Sequence, residues 1–147
     1  MFQDSMYIFG GYQDLRGSTS ELWAFHFPSK TWHQVSQGGV ISCPPRHHHS
    51  AILHDSAMWI FGGMSDLQDT ADCWMFSLGN IVVKCCLLFV GVTVSRCWRP
   101  VRSRPGPGCT HSHTAVSMDN MMLVFGGEKE GQPCNEIWCF HYGESRG

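Results

Sequence analysis

Short runs in which apolar and polar residues nearly alternate recur along the chain, among them LWAFHF (22–27), WHQV (32–35), SAILHD (50–55) and MWIF (58–61). They are rich in β-branched and aromatic residues, and a period of two puts alternate side chains on opposite faces, so they predict strands. No segment carries a 3.6-residue apolar period long enough for a helix. Asp, Ser, Gly, Gln and Pro fill the intervals as turn chemistry.

The strands recur as a unit. MYIFGG (6–11) is followed by ELWAFHF (21–27) and TWHQV (31–35). RHHHSAILHDSAMWIFGG (46–63) is followed by DCWMFSL (72–78), and THSHTAVSMDNMMLVFGG (110–127) by EIWCFHY (136–142). The glycine pairs are Gly10–Gly11, Gly62–Gly63 and Gly126–Gly127, and the next Trp lies 12, 11 and 11 residues after the second Gly, at Trp23, Trp74 and Trp138. His49 and His113 each precede the second Gly by 14 residues. A glycine pair at a strand end permits positive φ and a close backbone approach. Each unit reads as about four antiparallel strands, with a repeat of roughly 50 residues that suits propeller blades.

The combination R-x-x-H-S-A, apolar strand, F-G-G, acidic or polar residue before an aromatic, then Trp, resembles the kelch repeat. Its fullest copy runs through Arg46, His49, Ser50, Ala51, Phe61, Gly62, Gly63, Asp72 and Trp74. The resemblance implies an all-β, kelch-type β-propeller, here incomplete, with about three four-stranded antiparallel blades. The expected units are 1–36, 44–78 with 98–101, and 108–147. It also implies that the repeat histidines His49 and His113 are structural, set between blades. Kelch propellers usually have six blades. About three cannot close a ring, so the chain is expected to be a fragment or short isoform of a larger propeller protein, or to self-associate through its unclosed blades.

One stretch departs from the pattern. Trp32 follows Trp23 by nine residues, but nine residues past Trp74 stands Val83. Trp98 is expected to take the place of Trp32, leaving an apolar insert over about 79–97. Three origins compete for it: an unrelated inserted piece, such as one from alternative splicing; an extended hairpin on one blade; or an element that docks a partner or a membrane surface. It is too short and interrupted to span a bilayer.

Composition narrows the classes. Charged residues make up 15% of the chain and hydrophobic ones 43%, which excludes disorder and a long solvated helix. The net charge of −2 argues against a general nucleic-acid binder. The basic stretch Lys84, Arg96, Arg99, Arg102 and Arg104 could bind phosphate backbones or acidic partners, but it lacks interleaved aromatics apart from Trp98 and reads equally well as a solvated loop. The N-terminus shows no secretory pattern, so a reducing cytoplasmic location, or a nuclear one, is expected. The eight cysteines, including adjacent Cys85 and Cys86, form no C-x-x-C pair and read as free thiols.

Chemistry is sparse. His47, His48 and His49 invite a metal, but on a strand only His47 and His49 would share a side, and a structural role is expected. No G-x-S-x-G, P-loop or H-E-x-x-H occurs. The tyrosines Tyr7, Tyr12 and Tyr142 show no ligand spacing of the sort a copper-oxidase propeller would need. The expectation is a non-enzyme without cofactor or metal. The six Trp read as packing groups.

The segments after the glycine pairs differ: YQDLRGSTS (12–20), MSDLQDTA (64–71) and EKEGQPCN (128–135). Divergent polar loops on a repeated scaffold suit protein recognition. The contact candidates are Gln13, Asp14, Arg16, Asp66, Gln68, Asp69, Lys129, Glu130 and Gln132, chosen by position. The resemblance adds cullin-type ubiquitin-ligase adaptors, actin scaffolds and trafficking effectors as classes of use. The adaptor class needs a docking segment such as BTB or F-box, which this sequence does not show. A scaffold for protein partners is therefore the leading expectation, and substrate recognition for a ligase the second.

Overall fold

The computed structural model describes residues 1–79, 81–84, 91–101 and 106–142, with strand pairing alone for 81–84 and 91–94. Cys85, Cys86, Arg102 and Arg104 lie outside the described residues. Strand β1 (Ser5–Phe9) leads into a small hairpin, β2 (Tyr12–Gln13) and β3 (Gly17–Ser18), and then into β4 (Leu22–His26) and β5 (Thr31–Gln34). Strands β1, β4 and β5 form an antiparallel sheet in that order, the first blade.

The second blade has four long strands. These are β6 (Ser50–His54), β7 (Ala57–Phe61), β10 (Cys73–Ser77) and β13 (Trp98–Val101), with the hairpin β8 (Met64–Ser65) and β9 (Gln68–Asp69) between β7 and β10. A further pair, β11 (Ile81–Lys84) and β12 (Gly91–Val94), is antiparallel and sits between β10 and β13 in the chain. The apolar stretch therefore contains an antiparallel strand pair. The ladder of the blade resumes before β13, where Arg96 N–H donates to Ser77 and Ser77 N–H donates to Cys97. The third blade pairs β14 (Thr114–Met118), β15 (Met121–Phe125) and β18 (Ile137–His141), with the hairpin β16 (Glu128–Lys129) and β17 (Gln132–Pro133) after β15. No helix occurs among the described residues.

The second blade is a slab covered on both faces. All five residues of β7 are buried. The period of two divides them: Met58 and Ile60 face the first blade, and Ala57, Trp59 and Phe61 face the third. Trp74, Phe76 and Trp98 join Phe9, Leu22 and Ala24 in the first interface, and Cys73 joins Met122 and Val124 in the second. Strand β6 runs beside β14, so the first strands of two successive blades converge, as a common axis requires. This is an incomplete kelch-type propeller.

Trp32 and Trp98 hold equivalent registers, opposite Phe25 and Phe76. Their surroundings differ. Trp98 is 3% exposed, with its ring 4.7 Å from Phe9 and 5.0 Å from Phe76, whereas Trp32 is 49% exposed. Each faces the side of its blade away from the next unit, and among the described residues only the second blade has a neighbour there. The outer face of the first blade accordingly presents Met6, Ile8, Phe27 and Trp32 to solvent, and that of the third presents Val116, Met118, Phe125 and Ile137.

Candidate interaction surface

The three glycine pairs share one arrangement. The first Gly of each donates to the acidic residue two positions before the blade's Trp: Gly10 to Glu21, Gly62 to Asp72 and Gly126 to Glu136. The same acids accept the indole N–H, Trp23 to Glu21 at 2.8 Å, Trp138 to Glu136 at 2.9 Å, and Trp74 to Asp72. In the first two pairs the second Gly donates to the following blade: Gly11 to the Arg46 carbonyl and Gly63 to the Thr110 carbonyl, both at 2.9 Å. The imidazoles of His49 and His113 then wedge edge-on against Phe9 and Phe61 of the blade before, with ring centroids 5.7 and 5.3 Å apart. Both histidines thus sit between blades. His113 Nε2 also donates to the Phe61 carbonyl at 3.2 Å.

Arg46 binds the second blade together. Its side chain is fully buried. Its guanidinium makes a bidentate pair with Asp72 at 2.7 and 2.9 Å and donates to the Gly62 carbonyl at 3.0 Å. Burial works against the Arg46 charge, but the Asp72 hydrogen bond prevails and holds the guanidinium above its ordinary pKa. Burial would raise the Asp72 carboxyl, but the hydrogen bonds from Arg46 and Trp74 hold it below its ordinary range. Burial pushes the Cys43 and Cys73 thiols up to about 12, so neither is a nucleophile near neutral pH.

Burial also lowers His49 to about 4, with the Arg46 charge adding to the effect, and lowers His113 and His47. A histidine held neutral by the fold costs nothing above its ordinary value near 6.5. Below it, the unfolded chain takes up a proton that the fold refuses. Stability therefore declines from about pH 6.5 to about pH 4 and then levels for His49. Between pH 7.5 and pH 5 the expected loss from His49 is about 2 kcal/mol. Urea titrations at the two pH values test this, and His49→Phe should reduce the slope, with the rest left to His113 and His47. A wild-type midpoint unchanged across that range would contradict it.

The segments after the glycine pairs are not plain loops; each is a two-stranded hairpin. All three hairpins use positive φ: at Gly17 (+77°), the first residue of β3, in the first, and in the connection itself at Asp66 and Leu67 (+46° and +68°) in the second and at Glu130 and Gly131 (+52° and +74°) in the third. The second and third are two-residue connections with both residues left-handed, the geometry that matches strand twist. Gln13, Asp14, Arg16, Asp66, Gln68, Lys129, Glu130 and Gln132 are exposed. Asp69 is half-buried, with its carboxylate 3.7 Å from His111 Nε2.

Two histidines hold the hairpins in a row. His47 bridges Met64 through its backbone, and its Nδ1 lies 2.9 Å from Ser18 Oγ of the hairpin before. The corresponding His111 bridges Glu128 and reaches back to Asp69. His47 and His111 are absent from the sequence-derived contact set, although their identical offset before His49 and His113 is visible in the repeat. The reading of 47–49 as strand also fails. His48 has φ +54°, so the backbone turns there, and the His47 and His48 rings meet at 4.8 Å instead of pointing apart. Among the described residues, no group of three or more His, Cys, Asp or Glu could hold a metal ion, and no helix is long and apolar enough to cross a membrane.

Comparison with known proteins agrees with this architecture. The family profile described as the KLHDC2/KLHL20/DRC7 Kelch-repeats domain matches residues 1–86, and that of the Kelch motif matches residues 109–145. The chain is 30% identical to Tip elongation aberrant protein 3 of Schizosaccharomyces pombe, over 93% of the chain and 14% of that protein. It is 28% identical to the Leucine-zipper-like transcriptional regulator 1 homolog of Drosophila melanogaster, over 92% of the chain and 19% of that protein. It is 27% identical to Kelch domain-containing protein 3 of Rattus norvegicus, over 95% of the chain and 34% of that protein. The chain spans no more than about a third of the length of these relatives. With three glycine-pair units, blade-to-blade histidines and these matches, the chain belongs to the kelch-repeat family.

Proposed function

We propose that this chain is a non-catalytic scaffold that binds protein partners through the row of hairpins after its glycine pairs. The observation that carries the reading is the pinning of the row. His47 ties the first hairpin to the second, and His111, bridged to Glu128 of the third, sits beside Asp69 of the second, so exposed side chains from three blades are presented along one edge. Gln13, Asp14, Arg16, Asp66, Gln68, Lys129, Glu130 and Gln132 supply the variable contacts, with Asp69 helping to hold the row. The test is affinity capture with mass spectrometry, comparing the wild-type chain with a variant carrying Arg16→Ala, Gln68→Ala and Lys129→Ala. A reproducible partner set lost in the variant, at an unchanged unfolding midpoint, is expected. Retention of the full set would overturn the reading. Cullin-type ligase subunits in that set would favour the adaptor role over a general scaffold.

A second reading concerns assembly. The Gly127 N–H has no partner among the described residues, whereas Gly11 and Gly63 each donate to a following blade. The outer apolar faces of the first and third blades also have no neighbour among the described residues. These features support a unit that works beside further kelch blades, in a longer propeller or by self-association. Sedimentation of the purified chain tests this, and a stable monomer that does not associate would count against it.

A further inference from the structure

Two leucines stand at the tips of neighbouring hairpins. Leu15 is 100% exposed and Leu67 is 87% exposed, and Tyr12, at the root of the first hairpin, is 57% exposed. Each leucine directly follows an aspartate, Asp14 and Asp66. The hairpins are adjacent: a Cβ placed on Gly17 would lie 3.9 Å from Asp66 Oδ1. Turn chemistry does not account for Leu67. It holds φ +68°, a conformation that favours Gly or Asn. The third hairpin places Gly131 at the matching position. Leu67 thus adopts a disfavoured backbone and leaves its side chain in water, with no packing inside the chain in return.

The charge around the pair selects what would cover it. Asp14, Asp66 and Asp69 lie on these two hairpins, against Arg16 as their one cation. We propose that Leu15 and Leu67 are twin anchors for an extended basic segment of a protein partner, whose apolar side chains cover the leucines while its cationic ones meet Asp14 and Asp66. The proposal rests on the scaffold reading above and gives it a partner chemistry. Acidic flanks disfavour an anionic membrane as the occupant.

The probe is a fluorescein-labelled peptide of alternating Leu and Arg, with Leu→Ser and Arg→Glu analogues and vesicles of phosphatidylcholine and phosphatidylserine as competitors for the tips. The parent peptide should bind, and each analogue should bind at least tenfold more weakly. The variant Leu15→Ser with Leu67→Gly should also lose at least tenfold, while its urea midpoint holds or rises, because Gly relieves the left-handed strain. Asp14→Lys with Asp66→Lys should lose as much. No binding of the parent peptide, equal binding by the variants, or binding to vesicles in its place would overturn the proposal. Full capture of cellular partners by the leucine variant would remove this surface yet leave the scaffold reading standing.

Discussion

Asp72→Ala is expected to lower the unfolding free energy by about 3–4 kcal/mol, the range for stripping a buried charge of its partner. Arg46 is fully buried and its guanidinium cannot neutralise itself, so the loss of Asp72 leaves an uncompensated cation inside the second blade. The Trp74 indole N–H loses its acceptor in the same step. Asp72 itself is 42% exposed, so water can enter and partly replace it, which places the cost toward the lower end. Arg46→Met removes the charge at its source, and the double variant should be more stable than Asp72→Ala alone. A double-mutant cycle by urea denaturation measures the coupling. A single-variant cost under about 1 kcal/mol would show that the pair is solvated and that Asp72 serves only its local turn.

The period-two runs and the glycine pairs carried the blades into view because both signals are local. A strand must alternate, and a strand exit squeezed against a neighbouring backbone must be Gly. Three copies at fixed offsets then indicated the architecture. What sits between copies was less visible. The hairpins depend on positive φ at Asp66, Leu67 and Glu130, residues that do not advertise such a conformation as Gly does. The clips made by His47 and His111 join residues 29 and 42 positions away, Ser18 and Asp69, so no local pattern reports them. The open faces of the outer blades could be foreseen from the number of units. That Trp98 is buried while the register-equivalent Trp32 is half-exposed follows only from which blade has a neighbour.

Gly62→Ala should cost about 4 kcal/mol, whereas Gly131→Ala should cost about 1–2 kcal/mol, and the contrast isolates the contact between blades. Both residues are left-handed, with φ +60° and +74°, so the intrinsic penalty of an L side chain is nearly the same. Their surroundings are not. A Cβ at Gly131 meets nothing within 4 Å, but at Gly62 it would stand 2.6 Å from the Thr110 carbonyl oxygen and 2.8 Å from His113 Cε1. Neither neighbour can yield easily. The Thr110 carbonyl accepts the Gly63 N–H, and the His113 ring is held by the Phe61 carbonyl and lies 2.9 Å from Ser50 Oγ. Relief requires the third blade to move off the second, which opens the interface of Trp59, Phe61, Met122 and Val124. Urea denaturation of the two variants, with Trp fluorescence as the probe, reads the difference. Equal costs at the two positions would mean that the glycine pair serves backbone geometry alone, with no tight seating of one blade on the next.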